Sequence, residues 1–154
     1  MANALRQGKI SGQELQKMLS VEATTSDRVK GLLALGLPPD KLADAVGAKL
    51  STLRNWSSGQ AEPRADAAIT LDDLRYVALL LLVDGEWPSD RVARWFTSRD
   101  FATGQRPLDQ IAETPTDVIA AATDLIVAIR AAKTATPAAS EGGSDTGSFE
   151  AVSG

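Results

Sequence analysis

The chain has 154 residues, enough for one domain or for two small helical modules sharing a core, and its 44% apolar and 23% charged residues are ordinary for a globular protein. It contains no Cys and no His, which excludes thiol nucleophiles, disulfides, imidazole bases and the usual zinc sites; no paired acids or phosphate-cradling glycine loop stand out, so neither an enzyme nor a cofactor is expected. The net charge of −4 has the wrong sign for gripping nucleic acid by bulk electrostatics, but residues 1–133 carry only −1, and Lys41 to Arg64 holds four basic residues against two acidic ones.

The N-terminal stretch lacks the apolar segment and small-residue cleavage site of a signal peptide, so a cytoplasmic location is expected. Ser11-Gly12-Gln13-Glu14 has the form of a capping box, and Leu15, Met18 and Leu19 follow at helical spacing. After the polar break Glu22–Ser26, Ser26 is placed to cap a helix with the apolar stripe Val29, Leu32 and Leu33, which Gly36 ends. Pro38-Pro39-Asp40 starts a third helix, because proline in the first turn gives up an N–H that has no intrahelical partner. Its inner face is Leu42, Ala43 and Val46; Gly47 suits a sharp turn, and the next helix runs from about Lys49 to Ser57 with Leu53 and Trp56 inward.

Gly59 to Pro63 reads as a loop, and Thr70-Leu71-Asp72-Asp73 as the start of the most apolar helix, which ends near Asp84-Gly85. Its apolar run, Tyr76 to Val83, is far shorter than the roughly 20 residues of a membrane span. Pro88 opens a helix carrying Val92, Trp95 and Phe96; Phe101 and Gly104 lie in a turn, and Pro107 starts a brief helix through Ile111. Trp56, Trp95 and Phe96 are expected in the core. Thr114 caps the last helix, whose apolar line is Val118, Ala122, Leu125, Ile126 and Ile129. From Thr134 the composition is too poor in large apolar groups to offset the entropy of ordering, so a disordered tail is expected.

The expected fold is therefore all-α, a compact helical bundle in four stretches: an N-terminal helical extension (1–25), a helix-turn-helix domain (26–84), a small C-terminal helical domain (85–133) and a disordered acidic tail (134–154). Within the helix-turn-helix, Ala43 is small where two helices cross steeply, and Val46, Leu53 and Trp56 fill the angle between them. The exposed side of the second helix is then fixed. Lys49, Ser51, Thr52, Arg54 and Asn55 lie on or beside it and are residue types that bond base edges or phosphates. Arg54 suits guanine and Asn55 suits adenine, whereas Lys49, Ser57, Gln60 and Arg64 sit near the ends, where they would meet phosphates and set register.

The segment LPPDKLADAVGAKLSTLRNWSSGQAEP, residues 37–63, resembles the helix-turn-helix of Xre-type regulators through Leu42, Ala43, Gly47, Leu53, Trp56, Gly59 and Pro63. Farther on, Arg94, Trp95, Phe96, Phe101, Gly104 and the run Arg106-Pro107-Leu108-Asp109 resemble the C-terminal domain of Xre/MbcA/ParS antitoxins. The resemblance implies a type II antitoxin that binds double-stranded DNA at its own operator as a homodimer and neutralises a RES-type toxin that degrades NAD. It also makes Arg106, Asp109, Arg130 and Lys133 the candidate partner-binding residues. Read from the residues alone, Arg106 equally well pairs with a nearby carboxylate, and Pro107 and Asp109 simply start a helix. Two other functions share the motif: a phage or plasmid repressor with no toxin partner, and a protein-binding adaptor that uses the motif as scaffold.

Overall fold

The computed structural model describes residues 11–100 and 103–141, with side chains through residue 134, and every regular element among them is a helix. Phe101 and the tail beyond residue 141 lie outside the described residues. The first helix, α1 (Gly12–Met18), starts where the capping box placed it: the Ser11 hydroxyl accepts the Glu14 N–H at 3.1 Å. Helix α2 (Thr25–Leu35) begins one residue earlier than expected. Its cap is Thr24, whose Oγ1 accepts the Asp27 N–H at 3.1 Å, and that choice leaves the Ser26 hydroxyl free to donate to the Ser57 carbonyl on a distant helix. Val29, Leu32 and Leu35 are buried, while Leu33, expected inside, is only half-buried.

Helices α3 (Pro39–Ala45) and α4 (Leu50–Ser57) form the motif, and α5 (Ala65–Leu79) follows. The start of α5 lies five residues ahead of the expected Thr70, because Ala65, Ala67 and Ala68 are strong helix formers and the Asp66 carboxylate accepts the Ala67 N–H at 2.9 Å. The helix does not stop at Leu79 but widens into a π-turn over Leu80–Asp84, closed by Gly85 N–H donating to the Leu80 carbonyl at 3.1 Å. Glycine is required at that closure: a Cβ on Gly85 would lie 2.6 Å from the Leu81 carbonyl oxygen and 2.9 Å from Ile126. Glu86, with φ of 56°, then turns the chain into α6 (Ser89–Thr97).

The short α7 (Pro107–Gln110) and the long α8 (Pro115–Glu141) complete the chain. Thr114, expected as the cap of α8, uses its hydroxyl to donate back to the Gln110 carbonyl at 3.2 Å. Helix α8 runs eight residues past Lys133, into the first part of the stretch expected to be disordered; Ala131, Ala132, Ala135, Ala138 and Ala139 favour helix through this end, against the helix-breaking Pro137. One contiguous apolar cluster runs from Leu15 to Ile126, so the two halves share a core, with α5 packed against α2 and α8. Trp56 and Phe96 lie in that core as expected, and so does Trp87; Trp95 is half-buried, meeting Phe96 edge-on at 5.2 Å between ring centroids.

A polar tie holds the N-terminal helices onto α5. Asp72 Oδ1 accepts from Arg75 Nε at 2.7 Å and pairs with Arg28 at 3.3 Å, while the two arginines donate to the Leu19 and Val21 carbonyls. Arg75 is buried, so removing its carboxylate leaves a desolvated cation with one long hydrogen bond. Asp72→Ala is therefore expected to lower stability by roughly 2 kcal/mol in urea denaturation; a loss below about 0.5 kcal/mol would show that solvent replaces the carboxylate.

Candidate nucleic-acid interface

The turn between α3 and α4 is a Schellman motif. Gly47 has φ of 71°, its N–H donates to the Asp44 carbonyl at 3.1 Å, and the Ala48 N–H reaches back to the Ala43 carbonyl at 2.9 Å. A side chain at Gly47 would meet nothing within 4 Å, so glycine is needed there for backbone conformation and not for space. The same pair of bonds recurs at the end of α4, where Gly59, with φ of 82°, donates to the Trp56 carbonyl and Gln60 to that of Asn55. Both ends of the helix are thus fixed by backbone.

Its inner face is set by Leu53 and Trp56, 1% and 5% exposed. The opposite face consists of Ser51, Arg54, Asn55 and Ser58, all exposed and spaced as neighbours on one side of a helix. Neither the Arg54 guanidinium nor the Asn55 amide has a hydrogen-bond or ion-pair partner among the described residues, so their donors and acceptors point to solvent unspent. Ser58 was not singled out from the sequence, although it lies three and four positions beyond Asn55 and Arg54; its hydroxyl donates to the Asn55 carbonyl at 3.1 Å.

The flanking candidates separate into two groups. Lys49 and Arg64 are the N-cap residues of α4 and α5, and neither supplies a side-chain cap, so most first-turn N–H groups of both helices remain open. Together with Gly47, Thr52 and Trp56 they line one groove of 510 Å³, in which Glu62 and Asp66 are the acidic members. Lys49 and Arg64 beside two helix N-termini favour an anion such as a phosphate, while Glu62 and Asp66 in the same groove oppose it, Asp66 already accepting the Ala67 N–H. Gln60 is exposed beyond the end of α4. Ser57, by contrast, is half-buried, its carbonyl taken by Ser26 and its hydroxyl donated to the Arg54 carbonyl at 2.9 Å; it holds α4 against α2.

On the other side of Gly47 a cleft of 380 Å³ is lined by Asp44, Asp73 and Asp66, the last shared with the first groove, and by no cation, which disfavours a phosphate there. Burial pushes the Asp73 carboxyl above its ordinary value, the nearby Asp72 charge adds to the rise and Arg75 opposes it. The folded state therefore disfavours ionised Asp73, and the associated stability, present below about pH 3.8, is lost as pH rises through the folded-state value. Asp73→Asn is expected to raise stability at pH 7 and to leave it unchanged in acid below pH 3.8, as thermal melts across pH would show. A gain independent of pH would assign the effect to packing.

The four candidate partner-binding residues are not brought together. Arg106 and Asp109 pair with each other at 3.3 Å, and Arg106 also donates to the Thr97 carbonyl at 3.1 Å, fastening α7 to the end of α6. Arg130 pairs with Asp84 at 3.6 Å and Lys133 with Glu86 at 3.5 Å, fastening α8 to the turn after the π-turn. Among the described residues no group of three or more potential metal ligands occurs, and no helix is long and apolar enough to cross a membrane. No protein-family model, curated protein or solved structure matches the chain.

Proposed function

We propose that the chain is a sequence-specific DNA-binding regulator that lays α4 in the major groove, with Arg54 and Asn55 against base edges and Lys49 and Arg64 against the phosphates. The observation that carries this reading is the unpartnered, exposed Arg54–Asn55 face on a helix whose back and both ends are clamped. Few cations are available, so affinity rests on base contacts more than on bulk charge. With Lys49 and Arg64 as the phosphate contacts of one half-site, log K is expected to fall with log salt at a slope of roughly −2 per half-site. Selection from randomised duplexes, followed by salt titration on the winner, tests this. No enriched sequence would overturn sequence-specific reading.

An apolar stripe supports action as a homodimer. Ile69, Tyr76 and Val83 are 62%, 44% and 45% exposed and recur every seven residues along α5 and its π-turn, with Leu79 and Leu80 half-buried between them. Tyr76→Lys combined with Val83→Lys is expected to give a monomer in sedimentation equilibrium and to leave one half-site protected in footprints. In the wild type two half-sites should lie about 34–36 Å apart, or a multiple of that. A wild-type chain that is already monomeric contradicts the dimer.

Neutralisation of a RES-type toxin is the finer part of the proposal and is supported by the sequence resemblance over residues 94–109. Co-expression with such a toxin is expected to preserve cellular NAD. Depletion as deep as with toxin alone would leave a repressor without that partner.

A further inference from the structure

The outer side of α6 bears a cationic and aromatic surface unrelated to the helix-turn-helix. Arg91 lies over the Trp87 ring, 4.0 Å from its centroid, and has no carboxylate partner among the described residues. One turn on, Arg94 is 71% exposed and held only loosely by Asp90 at 3.6 Å; Trp95 is half-buried beside it. Trp87, Arg91, Arg94, Trp95 and Ser98 line an open cleft of 340 Å³, and about 150 Å³ is room enough for a benzene ring. A surface of this kind takes an acidic segment that carries an aromatic ring: carboxylates meet the guanidinium groups and the ring meets indole.

We propose that its occupant is the chain's own segment 142–154, with Phe149 in the cleft beside the half-buried Trp95 and Asp145 and Glu150 against Arg91 and Arg94. That segment contains Asp145, Glu150 and Phe149 and no basic residue, which makes it complementary in charge and supplies one aromatic ring. Its attachment point is also suitable. Lys133 pairs with Glu86, the residue before Trp87, and α8 runs about 12 Å farther to Glu141. Phe149 is eight residues beyond, and eight residues reach up to about 28 Å when extended, more than the rise of α8 past Lys133. A short flexible linker able to reach its site gives an effective concentration in the millimolar range, so even a weak contact is substantially occupied.

The absence of cysteine makes the test clean. In the full chain, Ser148→Cys carrying a spin label is expected to broaden the indole N–H signals of Trp87 and Trp95 severalfold more than that of Trp56. The effect should vanish in about 1 M salt, where screening reaches within some 3 Å, and in the Arg91→Glu, Arg94→Glu background, with circular dichroism confirming that the variant is folded. Equal broadening of all three indoles, or broadening that survives charge reversal, would overturn the proposal. So would broadening seen when labelled chain is mixed with unlabelled, isotope-enriched chain, since the occupant would then be a second copy.

Discussion

Trp56→Ala is expected to destabilise the chain by about 3–5 kcal/mol, the range for deleting a large buried aromatic side chain. Trp56 is 5% exposed and shares the inner face of α4 with Leu53, so truncation removes apolar contact and leaves a void where α4 leans on the rest of the motif. The clamps at Gly47 and Gly59 are backbone bonds and survive the change. The helix should therefore persist while losing its fixed tilt, and DNA affinity should drop even where the variant is fully folded. Trp56→Phe keeps most of the apolar volume and is expected to recover most of both losses. Urea denaturation gives the stability, and titration of the selected duplex well below the melting temperature gives the affinity. A loss under 1 kcal/mol would mean that the indole is a passenger and that some other group sets the pose of α4.

The second large effect falls on recognition alone. Arg54→Ala and Asn55→Ala are each expected to remove about 1–3 kcal/mol of discrimination between the selected sequence and a scrambled one, roughly five- to 150-fold, with no change in helical content. Both side chains are exposed and without partners in the fold, so stability should change by less than about 0.5 kcal/mol. Lys49→Ala, on a residue placed to meet phosphate, should weaken selected and scrambled duplexes alike and flatten the salt slope by about one unit. If the double replacement at 54 and 55 lowers both affinities equally, these residues meet the backbone, and the base readers lie elsewhere.

Local rules explain what was legible in the sequence. The Ser11 capping box, the proline at the head of α3, the glycine turn at 47 and the inward pair Leu53 and Trp56 are each specified within a few residues, and the fold keeps all of them. The face bearing Arg54 and Asn55 follows from that inward pair by helical geometry alone. Boundaries were less legible where alanine carries the helix: α5 begins at Ala65 because intrinsic propensity suffices there without a burial pattern, and α8 continues to Glu141 across Pro137, a residue that marks a helix end when read from sequence. Ser26 as the cap of α2 was a local choice among three adjacent hydroxyl residues, decided by its long-range bond to Ser57. The Asp72 tie joins residues 44 apart in sequence at Arg28, and Arg75 reaches Leu19 across 56; periodicity and spacing carry no trace of such pairings. The ion pairs of Arg130 and Lys133 with Asp84 and Glu86 are of the same kind.

The most direct measurement is a map of backbone amide shifts in isotope-enriched chain as the selected duplex is added. If α4 occupies the major groove, the largest changes fall on Lys49 to Gln60 and on Arg64, with residues around the Asp44–Asp73 cleft nearly still. Changes concentrated on α6 or α8, with α4 unmoved, would contradict the account.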